Sequence, residues 1–199
     1  MAFSKTEICN LALGRIGAST IMEFDGTEKN ARVCKNAYEL VVKEASRSGE
    51  WACLKKRVVL AKLATDPAFE WDYQYQLPVD CLAVVRLNGL DGANEDEFDI
   101  EGTALLTDAD TANIVYVSYQ PEPAKWDALF TSAVVALLAS RIATSICGDD
   151  GKAANLLQEY ERLSMPKAGV KNFNEVKRRR FDPTADSLFL RSRYVSTNG

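Results

Sequence analysis

Residues 128–147 read ALFTSAVVALLASRIATSIC, which is the most apolar stretch of a chain of 199 residues. The stretch is about long enough to cross a bilayer, for which about 20 apolar residues are needed. Arg141 lies deep within it, however, and an arginine at the centre of a membrane segment costs about 2.5–3.5 kcal/mol on insertion scales. Because its side chains leave almost no polar face, we predict a buried, central helix and no membrane association.

Three further helices are predicted around this one. Ser4 and Glu7 have the spacing of a capping box, and Gly17 is placed to end the helix that they begin. An apolar stripe predicts a longer second helix at residues 28–48. Gly148 ends the central helix, and a second regular stripe predicts a fourth helix up to Pro166. Two predicted helices therefore lie on each side of the middle of the chain.

The middle of the chain has the period of β-strands. Between residues 69 and 77 apolar and polar side chains alternate strictly, and the apolar ones are Phe69, Trp71, Tyr73, Tyr75 and Leu77. Further strands are predicted at residues 81–87, 98–102, 104–107 and 114–119. We expect these strands to form one antiparallel meander.

Together the elements predict an α+β fold, a four-helix bundle with an antiparallel β-meander inserted between the helix pairs, plus an extended C-terminal arm. The predicted parts are a first helical pair at residues 1–56, a β-domain at 57–124, a second helical pair at 125–166 and the arm at 167–199.

The composition excludes several kinds of chemistry. The chain has no histidine, which removes Ser–His and Cys–His nucleophiles and most catalytic zinc sites. Its cysteines are odd in number and widely spaced, and we expect reduced, mostly buried thiols: Cys9, Cys34, Cys53, Cys81 and Cys147. The sequence also has no Walker loop, dinucleotide fingerprint or nucleophile elbow. We therefore predict no catalytic residues, no cofactor and no metal.

Charge is distributed unevenly along the chain. Residues from 167 onward carry eight basic and three acidic side chains, a net charge of +5, which leaves −9 for residues 1–166 of the total of −4. Residues 91–110 contain eight acidic side chains and no basic one. Within that segment we expect an exposed acidic face, because charge runs are usually solvated. Its candidate residues are Glu95, Asp96, Glu97, Asp99 and Glu101.

The basic C-terminal residues alternate irregularly with apolar ones. Four aromatic residues after residue 170 are more than a solvated tail usually carries, so we expect an arm that becomes ordered on a partner. The basic run could bind phosphate or an acidic protein surface, and the apolar residues that follow it favour protein. The residues expected to make the contacts are Lys177, Arg178, Arg179, Arg180, Phe181, Leu188, Phe189, Arg191, Arg193 and Tyr194.

Several short motifs occur in a familiar order. They are residues 8–17 (ICNLALGRIG), Ala31-Arg32 and Tyr38 in the second helix, Gly49-Glu50-Trp51 after it, and residues 73–82 (YQYQLPVDCL). With the return to helix at residues 126–140, this order resembles the tail tubular protein A family, the head-to-tail adaptors of short-tailed bacteriophages. The resemblance covers roughly residues 5–165.

The resemblance implies a structural virion protein and not an enzyme. It implies a homo-oligomer, a dodecameric ring between the portal protein and the tail nozzle (tail tubular protein B), with tail fibres as further neighbours. DNA would pass through the lumen of this ring during ejection without sequence-specific binding. The C-terminal arm would then dock on the portal, and the acidic face would line the lumen or face solvent.

Two other functions compete with this one. One is a virion-associated peptidoglycan hydrolase that uses a pair of carboxylates, since an acidic chain offers many such pairs. The other is a nucleic-acid-binding module that uses the basic tail, and it should bind duplexes with a steep salt dependence.

Overall fold

The computed structural model describes residues 3–49, 51–89 and 97–164. Their fold is α+β, with four α-helices and two small antiparallel sheets in the described part of the chain. The ten residues assigned to the arm's docking contacts, and Glu95 and Asp96 of the acidic face, lie outside these residues.

The described residues contain four α-helices, and the limits of the first follow local sequence signals. They are α1 (Lys5–Ile16), α2 (Lys29–Arg47), α3 (Ala128–Cys147) and α4 (Asp150–Ser164). The Ser4 hydroxyl accepts from the backbone N–H of Glu7, and the Glu7 carboxylate accepts from the Ser4 N–H at 2.7 Å, so the capping box is present. Gly17 ends α1 with φ at 75°, a left-handed conformation that glycine adopts without strain.

The strands pair in a different order from a meander. They are β1 (Lys55–Val59), β2 (Tyr73–Gln76), β3 (Cys81–Leu87), β4 (Asp99–Glu101), β5 (Ala104–Thr107) and β6 (Asn113–Ser118). The first sheet has the order β1-β6-β3 and the second the order β2-β5-β4. The expectation that successive strands pair in one sheet is therefore wrong, because β6 returns to lie between β1 and β3.

The strand expected at residues 69–77 is shorter than its alternation suggested. Phe69 is 79% exposed, and Glu70 has a φ of 73°, which turns the chain out of the extended conformation. Regular pairing with β5 starts only at Tyr73. Tyr75 and Leu77 are buried as the pattern indicated, whereas Phe69 is not.

Helix α3 is central, as its composition predicted. It packs against α1, α2 and α4. Leu137 is fully buried, whereas Leu129 near the start of the helix is 54% exposed. Among the described residues α3 alone is long and apolar enough to cross a membrane, and 67% of its most apolar window is buried inside the protein. The apolar surface of α3 is thus largely covered by the other helices.

Two hydrophobic clusters divide the described residues. The helical core joins residues of all four helices with Trp51, Leu54, Ala83 and Val117. The β core lies between the two sheets and is centred on Tyr75, Phe98, Leu105 and Ile114. The first sheet therefore lies in the middle of the molecule, with the β core on one face and, at Ala83 and Val117, the helical core on the other.

Candidate interaction surfaces

The described residues of the predicted acidic face form a row at the second sheet. Glu97, Asp99 and Glu101 occupy every second position, and the last two are on β4, at one edge of that sheet. Between them Phe98 is 1% exposed, and Ile100 packs against the β core. Because successive side chains of a strand point to opposite faces, the carboxylates of Asp99 and Glu101 point away from the core, and Glu97 continues the same spacing just before the strand. We call Glu97, Asp99 and Glu101 the acidic row.

The turn after β5 carries two more carboxylates beside a polar cleft of about 500 Å³. The backbone N–H of Asp72 donates to Asp108 at 3.2 Å, and the Thr107 hydroxyl donates to the carbonyl of Glu97 at 2.7 Å. The Tyr75 hydroxyl donates to the carbonyl of Ala109 at 2.8 Å. These hydrogen bonds hold the turn in place. They therefore give the acidic residues of the turn a structural role.

The first sheet has a basic groove on the face opposite the β core. Val115 on β6 pairs with Arg57 on β1 and with Arg86 on β3. Paired side chains lie on the same face of a sheet, so an arginine stands on either side of Val115. Their Cα atoms are two strand spacings apart, roughly 10 Å.

The floor of this groove is apolar. Its volume is about 540 Å³, and Val59, which is 69% exposed, lies on its lining with Asn113. The Asn88 side-chain oxygen accepts from the backbone N–H of Asn113 at 2.8 Å and from its amide nitrogen at 3.0 Å, which fixes the end of the groove. We call the surface formed by Arg57, Val59, Arg86, Asn113 and Val115 the basic groove.

This groove was not predicted from the sequence. Lys55, Lys56 and Arg57 are three consecutive cations followed by Val58, Val59 and Leu60. The two β-branched valines after the cations were the available signal for strand β1. The arrangement of Arg57 beside Arg86 had no local signal, because only their common neighbour β6 brings them together.

A carboxylate on the other face of the first sheet is held by two donors. Asp80 accepts from Lys56 Nζ at 2.7 Å and from the Tyr116 hydroxyl at 3.1 Å. Burial raises the pKa of Asp80, but the hydrogen bonds from Lys56 and Tyr116 and the charge of Lys56 hold it below its ordinary value. Burial, together with the Asp80 carboxylate, raises the pKa of Tyr116 to about 12.

The other carboxyl shifts have the same direction. The backbone and side chain of Ser4 lower the pKa of Glu7, Lys35 lowers that of Asp25, and Lys43 lowers that of Glu39. A glycosidase acid requires a raised carboxyl pKa, as burial in an apolar pocket provides. The lowered pKa values of these carboxyls are those of surface ion pairs and a helix cap, not of a glycosidase acid.

A second groove with an apolar lining lies between α1 and α3. It has a volume of about 430 Å³ and is lined by residues that include Phe3, Leu11, Gly14 and Val135. On its rim Arg15 donates to Glu159 at 2.8 Å, which ties α1 to α4. The groove is thus formed by α1 and α3, and the ion pair with Glu159 links its lining residue Arg15 to α4.

The five cysteines are free thiols. Cys9 and Cys34 are buried, Cys53 and Cys81 are half-buried, and Cys147 is exposed, so the expectation of mostly buried thiols is only partly met. Across residues 3–49, 51–89 and 97–164 no group of three or more cysteine, aspartate or glutamate side chains could hold a metal ion.

The motifs at residues 8–17 and 49–51 join elements of the helical core. The Asn10 side chain accepts from the Ile21 N–H at 2.8 Å and donates to the Ile21 carbonyl at 3.0 Å, which fixes the loop after α1. Trp51 donates from its indole nitrogen to the carbonyl of Ala45 at 2.8 Å, and its ring lies 5.3 Å from that of Phe130. These residues therefore connect α1, α2 and α3.

No protein-family model matches this sequence, and no curated protein matches it.

Proposed function

We propose that this chain is the subunit of a head-to-tail adaptor ring of a short-tailed bacteriophage. In this proposal it is a structural virion protein at the head–tail junction, between the portal and the tail nozzle, and forms part of the DNA ejection channel. The proposal starts from the resemblance of residues 5–165 to the tail tubular protein A family. The observation that carries it is that Asn10, Gly17 and Trp51, all within the resembling motifs, fix the junctions between helices. Chains that share these motifs would therefore share the same junctions between helices.

The subunit we propose is a four-helix bundle with a β-domain between its helix pairs. The separate helical and β cores support this division. The proposed limits are residues 1–56 and 125–166 for the helical pairs and 57–124 for the β-domain. Strand β1 begins at Lys55 and α3 at Ala128, within a few residues of those limits.

The proposed docking element for the portal is the arm at residues 167–199. It has a net charge of +5 beside a body of −9, and its basic run precedes Phe181 and further apolar residues. Arginines can form charge-assisted hydrogen bonds to carboxylates, and buried aromatics supply much of the affinity of an interface. The partner would thus need acidic groups beside apolar pockets.

The acidic row belongs to the surface that we propose faces solvent or the lumen. Glu101 is exposed, and Glu97 and Asp99 are half-buried with the core behind them. Carboxylates along a channel repel the phosphates of passing DNA, which prevents adhesion. Tight binding of duplex DNA by the assembled ring would contradict this placement.

The test is co-assembly with the portal. The purified chain should form closed rings with twelve-fold symmetry, alone or on purified portal rings, and negative-stain micrographs would show them seated on the portal. A chain that neither closes into rings nor binds the portal would refute the adaptor. Clearing of purified cell wall that is lost on replacement of one aspartate or glutamate would support the hydrolase in its place.

A further inference from the structure

We propose that the groove between α1 and α3 binds residues 188–190 of the same chain, which are Leu188, Phe189 and Leu190. These three residues belong to the arm and lie outside the described part of the chain. The proposal concerns the free chain and goes beyond the proposed function, in which the arm docks on the portal. It is inferred from the lining of the groove, the charges around it and the place where α4 ends. We call this groove the helical groove.

The helical groove offers apolar surface and open space. Phe3, Leu11 and Val135 contribute to its lining, and Leu11 is 44% exposed. Its volume of about 430 Å³ lies in the range of pockets that hold a small ligand, about 300–1,000 Å³. A β-carbon built at Gly14, which also contributes to the lining, would have no described atom within 4 Å. The groove can therefore accept apolar side chains without displacing the described residues.

Carboxylates surround the helical groove. Glu7 lies one turn before Leu11 on the same face of α1. Asp127 caps the first turn of α3, next to the lining of the groove. Glu159 accepts from Arg15, the cation of the lining, at 2.8 Å, so that the charge of this arginine is balanced. The groove therefore favours an occupant that is apolar and has positive charge beside the apolar part.

Residues 188–190 have this composition. They are the only three consecutive apolar residues after Pro166, and Arg191 and Arg193 follow them. Burial of the apolar side chains favours binding in proportion to the area removed from water. The two arginines can form charge-assisted hydrogen bonds with carboxylates at the edge of the groove. The sequence of this segment thus matches both the lining and the charges of the helical groove.

Helix α4 ends close to the helical groove. Glu159, which contacts the lining, lies five residues before Ser164, the last residue of α4, a distance of about 7.5 Å along the helix. The 24 residues from Ser164 to Leu188 can extend over up to about 80 Å, so the segment can reach its own groove. A tether of this kind raises the local concentration of the segment at that groove. The same chain is therefore favoured over a second copy as its source.

The experiment is photo-crosslinking in the full chain. Phe189 is replaced by p-benzoylphenylalanine, which keeps an aromatic ring and couples to nearby C–H bonds under ultraviolet light. The same replacement at Phe69, which is 79% exposed in the β-domain, is the matched control. Crosslinked products are separated by size, and mass spectrometry of their tryptic peptides identifies the residues that are joined.

The probe at Phe189 should join to peptides of residues 3–15 and 128–135 in products with the mass of one chain, 22.0 kDa apart from the probe. The control probe should not join to these peptides. Gly14→Leu should abolish the groove products, because its side chain occupies the open space, whereas Gly14→Ala should retain them. Both substitutions favour helix relative to glycine, and circular dichroism checks that the variants fold.

A second variant leaves the described part of the chain unaltered. Leu188→Ser/Leu190→Ser should also abolish the groove products, because it removes the apolar side chains on both sides of the probe. The folding of the body should not change, since α1 and α3 already pack together in the helical core. Arg191→Glu/Arg193→Glu should lower the yield, and less so at high salt, where exposed charges are screened.

Three outcomes would overturn the proposal. If the groove peptides appear only in products with twice the mass of the chain, the occupant is a second copy. If the probe joins to other peptides, or to none of the described body, the segment does not bind the groove. If folded Gly14→Leu and Leu188→Ser/Leu190→Ser both keep the wild-type yield, the apolar fit is refuted.

These results are independent of the adaptor, because no portal is present. A chain that gives the groove products but does not bind portal rings refutes the adaptor alone. A chain that binds portal rings but lacks the groove products refutes the present proposal alone.

Discussion

At the scale of single residues, Asn10 has a role that its position in a helix does not suggest. Its side-chain amide both donates to and accepts from the backbone of Ile21, as a neighbouring β-strand would. Ile21 is 3% exposed, so water has little access to those backbone groups. A buried N–H or C=O without a partner costs about 1–3 kcal/mol.

We expect Asn10→Ala to lower the free energy of unfolding by about 1–3 kcal/mol, because the Ile21 backbone loses both partners. Urea denaturation followed by circular dichroism measures this. Asn155→Ala, at an exposed position of α4, is the control and should change stability by less than about 0.5 kcal/mol. Equal effects of the two substitutions would show that the Asn10 bonds do not stabilise the loop.

Asp80 contributes a pH dependence to stability. Its folded pKa is below the ordinary value, so its stabilising effect is present above the unfolded pKa of about 3.9 and is lost as the pH falls through the folded pKa. We expect Asp80→Asn to lower the urea midpoint at pH 7 and to flatten the loss of stability between about pH 5 and pH 3.

Asp66→Asn, at an exposed loop position, is the matched control and should change the free energy of unfolding at pH 7 by less than about 0.5 kcal/mol. A profile for Asp80→Asn parallel to that of the wild type would show that the contacts with Lys56 and Tyr116 are too solvated to matter.

At the scale of elements, α3 has more buried residues than any other described helix. Leu137→Asp should abolish cooperative unfolding, because it places an unpaired carboxylate at a fully buried position. Leu137→Ala should fold and lose about 2–5 kcal/mol through the cavity it leaves. Leu129→Ala, on the same helix at 54% exposure, should change stability by less than about 0.5 kcal/mol.

Thermal melts of these three variants decide the role of the helix. If Leu137→Asp unfolds cooperatively near the wild-type temperature, α3 is not part of the core.

The sequence predicted the elements whose causes are local. The capping box at Ser4, the left-handed Gly17 and the apolar run of α3 depend on neighbours a few residues away. Strand pairing depends on distant partners, so β6 could not be placed between β1 and β3 from its own pattern. The strand predicted from the alternation at residues 69–77 is wrong at its start, where Glu70 adopts a positive φ. No residue in that stretch indicates this conformation.

At the scale of the whole molecule, the candidate surfaces were predictable to different degrees. The acidic row was visible because its charges alternate with Phe98 and Ile100 along one strand. The basic groove was not, because Arg57 and Arg86 lie on strands that meet only through β6. A site on one element can be found from its sequence, whereas a site assembled across a sheet requires the topology.

The role of the arm at residues 167–199 can be tested by truncation. Truncation before Lys171 should leave the thermal transition of the body intact, because α1 to α4 and both sheets lie before that residue. The same truncation should abolish binding to portal rings in a pull-down.

Replacement of Arg178, Arg179 and Arg180 by alanine should weaken that binding most at low salt, because charge-assisted contacts are screened as salt rises. Portal binding by the truncated chain at wild-type affinity would place the docking surface on the helices.

The position of α3 late in the chain has a consequence during synthesis. Helices α1 and α2 are complete at Arg47, but the helix against which they pack ends at Cys147. At about 5–20 residues per second the ribosome needs about 5–20 s for the roughly 100 residues between them. Ion pairs such as Arg15–Glu159 and Arg141–Glu44 also join segments far apart in the chain. The nascent chain therefore exposes two apolar helix faces for seconds, the interval in which a chaperone would bind it.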